Sequence, residues 1–382
     1  MIKSRSKQAG IALLSAAMMT TILVSVVAAL AYRHFLDMHR YGRALDADRA
    51  VMLAMSAESL ALELLDQDEF DEIDDLNEDW ARVLPPLPVE GGLLSPELKD
   101  LQARFNINSL ADVDKAGWER YSRGQRRGWS RIRMLDDLYV AVGLPQEHAK
   151  YARIIDWLDE DNNLTAAGSS EDSDYLLEDP PMRAANRLMV DIYELDLVRN
   201  FPMEDLYELL VERNDPENPR EQLVTVLPIA ENEININTAS RLIIASLHFD
   251  ITLAIADSII EKRPYENTNE FFEELEAQLG PKKKVFEDYF LNNSDGSTLV
   301  VRTHYFELTT IIQIGDSTAK MTSLIYRPDG YYKASKINPV VYQRSFGLLP
   351  DLAQLPPDAL EEAGEAGNTE LEALMNSRQG VQ

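Results

Sequence analysis

The chain has 382 residues, of which 45% are hydrophobic, so it can hold two or three packed domains and is not a disordered polypeptide. Its net charge of −28 argues against binding of nucleic acid or anionic lipid by the part of the chain that follows its basic amino terminus, because phosphate binding needs clustered lysine and arginine. It contains no cysteine, which excludes disulfide bonds, thiolate chemistry and cysteine-bound zinc.

The amino terminus combines a short basic segment with a long apolar one. Three basic residues precede Gly10, and residues 11–31 carry no charge. At about 1.5 Å per residue, this run spans a hydrocarbon core of about 30 Å, and the basic residues before it predict a cytoplasmic N-terminus. A small residue directly before the apolar run resembles the leader of prepilins, in which prepilin peptidase would cut between Gly10 and Ile11. A plain single-pass anchor with an incidental glycine is the alternative.

The helical pattern continues beyond the apolar run. Leu45, Met52 and Met55 recur at helical spacing among charged residues, and no proline occurs before Pro85. We therefore predict one helix over residues 11–65. Its second half is amphipathic, so we expect it to pack on a sheet formed by later parts of the chain.

The rest of the chain changes from helical to alternating periodicity. The acidic run at 66–79 is interpreted as a solvated linker. The elements predicted after it are a strand over Leu98–Asn108, helices over 113–291, and a three-stranded antiparallel meander over 298–315, 319–328 and 331–343 with a turn at Asp329–Gly330. The acidic tail has a helical pattern at Asp358–Met375.

This order of elements predicts an α+β fold. A long, pilin-like N-terminal helix would lie on an antiparallel sheet, with a large all-α domain inserted into one of its loops. The predicted boundaries are a leader at 1–10, a transmembrane helix at 11–31, a pilin-like domain at 32–109 with 294–347, an inserted helical domain at 110–293, and an acidic tail at 348–382.

Five segments of the chain resemble the K-type minor pseudopilins of bacterial type II secretion systems. They are GIALL at 10–14, DLQARFNINSL at 100–110, the paired acidic segments IIDWLDEDN at 154–162 and GSSEDSDY at 168–175, PPMRAANRLMVDIYELDLVRNF at 180–201, and ININTAS at 234–240. Each is moderately specific, and their common order makes the resemblance strong.

The resemblance implies a single-pass protein of the bacterial inner membrane, with most of the chain in the periplasm. It would cap the tip of the pseudopilus and nucleate its assembly with the I-type and J-type minor pseudopilins, for export of folded proteins across the outer membrane. Its other implied partners are the inner-membrane secretion platform and prepilin peptidase, and the mature N-terminus at Ile11 would be methylated. A minor pilin of a type IV pilus or competence apparatus is the alternative.

Position five after the predicted cut is Ser15. Pilin subunits that stack in a shaft usually carry glutamate there, which neutralises a neighbour's N-terminal ammonium in the low-dielectric helix bundle. Ser15 cannot make that pair, and a large insert would clash if it were repeated along a shaft, so both features favour the tip. We expect assembly through the helix face of Leu45, Met52 and Met55, where apolar burial supplies the attraction.

The acidic segments predict a calcium site, because calcium takes six to eight oxygen ligands and often binds carboxylates that are close together on a loop. The spacing is not that of an EF-hand, since Leu164 replaces the turn glycine and Ser170 replaces the bidentate glutamate. A solvated acidic loop is the alternative, and the resemblance to a calcium-binding insert favours the metal. The predicted ligands are Asp159, Asp161, Glu171, Asp172 and Asp174.

Residues 234–275 resemble a helix-hairpin-helix module, a common DNA-backbone binder. Such modules bind phosphate through backbone amides of a glycine-rich hairpin. Here the hairpin reads LHFDIT at 247–252, without glycine and with Asp250. We therefore predict a helical scaffold, with a membrane-tethered DNA receptor as the alternative. The five histidines are scattered and no catalytic motif stands out, so we expect no enzyme.

Overall fold

A computed structural model describes residues 5–67, 73–124, 130–210, 222–292, 297–315, 317–328 and 338–349. The α-helices are α1 (Arg5–Gln67), α2 (Lys115–Ser122), α3 (Arg131–Ala141), α4 (His148–Leu158), α5 (Asp172–Tyr175), α6 (Met203–Leu210), α7 (Arg241–Ser246), α8 (Leu253–Ile260), α9 (Thr268–Leu279) and α10 (Lys283–Glu287). The β-strands are β1 (Leu87–Val89), β2 (Gly92–Asp100), β3 (Phe105–Asn106), β4 (Val224–Thr225), β5 (Asn232–Asn235), β6 (Ser297–Val300), β7 (Tyr305–Ile314), β8 (Ser317–Tyr326) and β9 (Val340–Leu349).

A five-stranded sheet supports the second half of α1. Its order is β1-β2-β7-β8-β9, and every neighbouring pair is antiparallel. Burial alternates along β7 and β8, so one face of the sheet packs inward. The predicted combination of a long helix and an antiparallel sheet is confirmed.

Strand β1 is an addition to the predicted sheet. It joins β2 through Gly91 and Gly92, and Gly91 has φ +86°, a conformation that favours glycine. A Cβ on Gly92 would lie 1.7 Å from the carbonyl oxygen of Gln313 on β7. The close approach of these two strands therefore requires glycine at this position.

The contact between α1 and the sheet is made chiefly by alanine. Ala50, Ala54, Ala57 and Ala61 recur at steps of three and four residues, which places them on one helix face, and none is more than 5% exposed. Small side chains let the helix backbone lie close to the strands. The helix packs on the sheet as predicted. The alanines that make the contact were not predicted, because the predicted apolar pattern consisted of larger side chains.

An ion pair between the buried Glu58 and the half-exposed Arg344 fixes the same contact from the helix side. Glu58 of α1 is 4% exposed and accepts two hydrogen bonds from the guanidinium of Arg344 on β9, at 2.7 Å from Nε and 2.6 Å from Nη2. Ser323 on β8 donates a third hydrogen bond at 2.9 Å. Burial raises the pKa of Glu58, but the bonds from Arg344 and Ser323 outweigh it and leave that pKa below its usual value.

The inserted domain has one large hydrophobic core, which extends from Phe105 to Leu299. This core is wider than the predicted range of 110–293, and the domain is not all-α. Strand β3 pairs with β4 in parallel, and β5 pairs with β6 in parallel. The prediction missed β4 and β5, because strands of two to four residues carry too little periodicity to detect.

The strands near both ends of the insert differ from the prediction. The predicted strand over Leu98–Asn108 is broken, because β2 ends at Asp100 and β3 belongs to another sheet. The predicted strand over 298–315 is likewise divided, since β6 pairs with β5 of the insert while β7 lies in the main sheet. Both breaks occur where the chain passes between the two parts of the molecule.

At the carboxyl end, β9 covers Val340–Leu349 where a strand over 331–343 was predicted. It therefore includes the first two residues of the predicted tail. The predicted turn at Asp329–Gly330, the segment 331–337, and the tail from 350 with its helical pattern at Asp358–Met375 lie outside the described residues.

A buried polar network joins the two parts and contradicts the prediction that the acidic run at 66–79 is wholly solvated. Asp74 is 1% exposed, lies against the guanidinium of Arg327 at 2.6 Å, and accepts from the Thr303 amide at 2.5 Å. Asp100 accepts from the hydroxyls of Thr303 at 2.6 Å and Thr238 at 2.5 Å. The connector is thus a structural element in which a carboxylate is anchored by an arginine.

Candidate functional site

The candidate metal site lies where α4 ends and the chain loops towards α5. Helix α4 is buried along its last turns, and Asp156 in the last turn is fully buried. Its carboxylate accepts from the Thr165 amide at 3.0 Å, which holds the loop against the helix. Gly168 has φ +92°, so glycine suits the turn that brings the chain back to Glu171.

Three of the predicted ligands come together. Asp159, Asp161 and Glu171 each place a carboxylate oxygen within 4.8 Å of the others. Glu171 is 3% exposed, Asp159 is half-buried and Asp161 is exposed. Such a group of oxygens can share one cation.

The hydrogen bonding of this cluster is incomplete among the residues that the structure describes. Both carboxylate oxygens of Glu171 and one of Asp159 are buried with no hydrogen-bond donor. A buried carboxylate without a donor is costly unless a cation compensates it. The orphaned oxygens therefore fit a hard cation such as calcium, which prefers oxygen ligands.

The electrostatics of the loop point the same way. Burial, with repulsion from Asp156 and Asp161, raises the pKa of Asp159 to about 7. Burial, with repulsion from Asp156, Asp159 and Asp161, raises the pKa of Glu171 to about 8. Like charges in a partly buried site disfavour one another's ionised form, and a divalent cation would reverse that effect.

The remaining two predicted ligands, Asp172 and Asp174, do not join this group of three, and each has partners of its own. Asp172 pairs with Arg183 at 2.7 Å and accepts from the Ala184 amide at 3.1 Å. Asp174 accepts from the Glu171 amide at 3.2 Å and lies 3.6 Å from Arg199. Both carboxylates fold the following segment onto the loop, a role that acidic spacing alone does not distinguish from metal binding.

Asp156 is the residue that the predicted ligand set left out. Its charge contributes to the raised pKa of both Asp159 and Glu171. The signal that could have found it is its position in a buried helix turn, three residues before Asp159.

The predicted assembly residues lie on the free side of α1. Leu45, Met52 and Met55 are 59%, 71% and 46% exposed, on the helix face opposite the alanine stripe. Met38 and Tyr41 extend the same exposed face towards the amino terminus. Exposed apolar residues in a row of this kind mark a surface for another chain.

Among the described residues, one helix is long and apolar enough to cross a membrane, namely α1, and no part of its most apolar stretch is buried. Ser15 lies in this stretch and is exposed. The helix continues through Gly10 and Ile11. The apolar helix therefore fits a membrane anchor by its length and composition, and the cut between Gly10 and Ile11 stays a prediction.

The ININTAS segment has a structural role. Asn235 donates to the Asp100 carboxylate and the Thr303 hydroxyl, and the side chain of Asn237 makes two hydrogen bonds with the Tyr265 backbone. Helices α7 and α8 then form the expected hairpin, with Asp250 exposed in its loop. The geometry of the hairpin does not distinguish a helical scaffold from a DNA-binding module, so the scaffold role stays a prediction.

The chain matches two family models described as type II secretion system (T2SS), protein K, over residues 103–211 and 234–290. It is similar to the type II secretion system protein K of Pseudomonas aeruginosa, with 29% identity over 91% of this chain and 96% of the relative. The protein of the same name from Aeromonas hydrophila is 28% identical over 84% of this chain and 93% of the relative.

The fold is similar to a chain in the crystal structure of the GspK-GspI-GspJ complex from the enterotoxigenic Escherichia coli type 2 secretion system. The TM-score is 0.62 at 23% identity, over 81% of this chain and 99% of that chain. The similarity covers both the pilin-like part and the insert, so the α+β fold with its inserted domain is shared.

Proposed function

The chain belongs to the protein K family of the type II secretion system and is a minor pseudopilin, and from this premise we propose that it caps the tip of the pseudopilus and nucleates its assembly. Its action would be assembly and not catalysis. The observation that carries the proposal is the separation of two surfaces: a helix face open for other subunits, and a bulky insert that leaves that face free.

The tip position is supported by the shape of the subunit and by Ser15. A subunit in the shaft must have room above and below it, and the insert is larger than the sheet that carries it. Ser15 offers no carboxylate to a neighbouring N-terminal ammonium within the bundle. Both features suit a subunit that begins a filament.

The proposed partners are the I-type and J-type minor pseudopilins, since a related chain crystallised in a complex with GspI and GspJ. We place the contact on the exposed face of α1 that includes Leu45, Met52 and Met55. Burial of these side chains would supply the attraction, because an exposed apolar row on an acidic chain has no other strong source of affinity.

Co-purification with the I-type and J-type subunits tests this assignment. A Met52→Glu variant should weaken the complex by about a hundred-fold or more, because a charge would be buried without a partner. Glu261→Lys, an exposed charge change on the insert and away from α1, is the control and should leave the complex intact. Long homopolymeric fibres of the purified chain, or an unaffected complex with Met52→Glu, would contradict the tip assignment.

We also propose that prepilin peptidase cuts between Gly10 and Ile11, leaving a methylated Ile11 in the inner membrane and the rest of the chain in the periplasm. The support is the glycine at the cytoplasmic edge of the apolar run. N-terminal mass spectrometry of membrane-extracted protein should find Ile11 first. An intact Met1, or a cut after Ala31, would refute this processing. From the inner membrane, the subunit would then engage the secretion platform.

The third part of the proposal is a structural calcium ion held by Asp159, Asp161 and Glu171. The support is their convergence and the orphaned buried oxygens. Bound calcium would supply positive charge to a loop whose carboxylates otherwise repel one another. These residues, with Asp156 behind them, would then hold the segment that leads into α5.

A further inference from the structure

Helix α1 carries a group of arginines directly beyond its apolar run, on the side that the proposed topology exports. Arg33, Arg40 and Arg43 follow the run within about one dozen residues. Steps of seven and three residues place them on one face of the helix, and all three are exposed.

These arginines have little pairing within the described part of the chain. No ion pair there involves Arg33 or Arg43, and Arg40 has only Asp37, whose carboxylate is 3.9 Å away and 57% exposed. An exposed pair at this distance contributes little. Their charge is therefore available to an external anion.

The positive charge of these arginines is unexpected at this place in the chain for two reasons. The chain as a whole carries a net charge of −28, and the positive-inside rule places excess basic residues on the cytoplasmic side. Arg33, Arg40 and Arg43 equal in number the three basic residues of the leader, which the proposed cleavage removes. A basic group on the exported side then points to an anionic partner at the membrane surface.

The depth of the three residues fits lipid headgroups. Counting from Ala31, the Cα atoms of Arg33, Arg40 and Arg43 lie about 3, 14 and 18 Å beyond the hydrocarbon core. Helical side chains point back towards the amino terminus, here towards the bilayer, and an arginine stem reaches roughly 6 Å. The headgroup layer is about 5–7 Å thick, so Arg33 lies within it, Arg40 reaches its edge, and Arg43 stays within a Debye length.

Aromatic side chains complete the surface. Tyr32 and Phe35 are exposed next to the arginines, and aromatic residues are common anchors at membrane interfaces. We propose that Arg33, Arg40 and Arg43, with Tyr32 and Phe35, form a basic collar that binds the phosphodiester headgroups of anionic phospholipids in the leaflet facing the exported domain. The inference rests on the proposed membrane topology.

The collar gives the helix a fixed depth before assembly. Arginine can bind a phosphodiester through two parallel hydrogen bonds, which favours it over a lysine for this contact. The acidic exported domain is repelled by the same lipids. The collar is therefore the part of the exported chain that binds the membrane surface.

Lipid selectivity of the full mature protein tests the proposal. The protein is placed in nanodiscs that contain phosphatidylcholine and phosphatidylglycerol, and the lipids that stay bound after transfer to detergent are counted by native mass spectrometry. We expect enrichment of phosphatidylglycerol. The triple variant Arg33→Gln, Arg40→Gln, Arg43→Gln should lose about ten-fold or more of this enrichment, since each arginine at an anionic surface is worth roughly five-fold.

A matched triple variant controls for charge. Arg49→Gln, Arg82→Gln and Arg123→Gln remove the same charge from side chains that are 65%, 66% and 66% exposed, and should leave the enrichment unchanged. Both variants should melt like the wild type, because all six side chains lie outside the packed cores. Nanodiscs present both leaflets, so the result does not depend on which side the N-terminus occupies in the cell.

Equal enrichment in the wild type and the collar variant would overturn the proposal, as would an equal loss in the control variant. If the collar variant keeps its lipid selectivity but no longer co-purifies with an acidic inner-membrane protein, the occupant of the collar is a protein and the lipid assignment is wrong.

Discussion

The pilin-like part and the insert bury apolar surface in different ways. The insert has one core of large side chains such as Leu138, Trp157 and Phe271, all nearly or fully buried. In the pilin-like part, α1 contributes mainly alanine to smaller cores on the sheet, while Leu45 and Met52 remain exposed. The insert therefore completes its own core, and the pilin-like part leaves large apolar side chains exposed on α1.

Polar contacts show the same division. In the pilin-like part, Glu58 and Arg344 bind α1 to an edge strand. At the junction, Asp74 and Arg327 bind the connector to the sheet. In the insert, both oxygens of the Glu171 carboxylate are buried without a hydrogen-bond donor among the residues that the structure describes. Two acidic groups thus receive their counter-charge from the chain, whereas the buried oxygens of Glu171 leave room for the proposed cation.

The largest expected effect is the loss of stability on truncating a core side chain of the insert, compared with truncating an apolar side chain of α1. Leu138→Ala in α3 should lower the free energy of unfolding of the insert by about 2–5 kcal/mol, because it leaves a cavity in a dense core. Leu45→Ala, at an exposed site on α1, should change that free energy by less than about 0.5 kcal/mol. Urea denaturation of the chain without its apolar run at 11–31 measures both. Similar costs for the two variants would mean that Leu45 is buried within the subunit.

A smaller effect is expected from calcium, and it should be confined to the insert. At calcium concentrations about a hundred times its Kd, binding should add about 2.7 kcal/mol to the stability of the insert and raise its melting temperature. Glu171→Gln should abolish this gain, and Asp172→Asn should keep it because Asp172 pairs with Arg183 instead. Calorimetry with calcium and with chelator distinguishes the two variants. A loss of the gain in Asp172→Asn would restore the larger ligand set.

The smallest effect is a pH dependence in chelator. Folding raises the pKa of Asp159 from 3.8 to about 7 and that of Glu171 from 4.5 to about 8. The folded state then binds protons more tightly, so the stability that these groups contribute at low pH is lost as pH rises towards 8. We expect a decline of about 1 kcal/mol or more, since Asp159 and its neighbour Asp161 are open to solvent screening whereas Glu171 is buried.

Calcium should remove that decline, because the cation favours the ionised form of both groups. Denaturation at a series of pH values, with calcium or with chelator, measures it. The double variant Asp159→Asn, Glu171→Gln is the control and should show no difference between the two conditions. A wild-type stability that rises with pH in chelator would contradict the raised pKa values.

The position of the candidate metal site in the chain can be predicted from the sequence, but the set of carboxylates that converge there cannot. The sequence placed Asp159, Asp161 and Glu171 in an acidic loop, and the structure brings their oxygens together. The same spacing included Asp172 and Asp174, because carboxylates that bind arginine or a backbone amide look identical in sequence to carboxylates that bind a cation. Asp172 and Asp174 pair with Arg183 and Arg199, which approach from a later segment of the chain.

The sequence by itself determined the long α1, the antiparallel character of the main sheet and the existence of a large insert, since each depends on periodicity within a continuous segment. Only the tertiary structure decided that alanines face the sheet and that Asp74 is buried against Arg327. It also decided that β6 leaves the meander to pair with β5. These outcomes depend on which distant segments meet, and no local pattern carries that information.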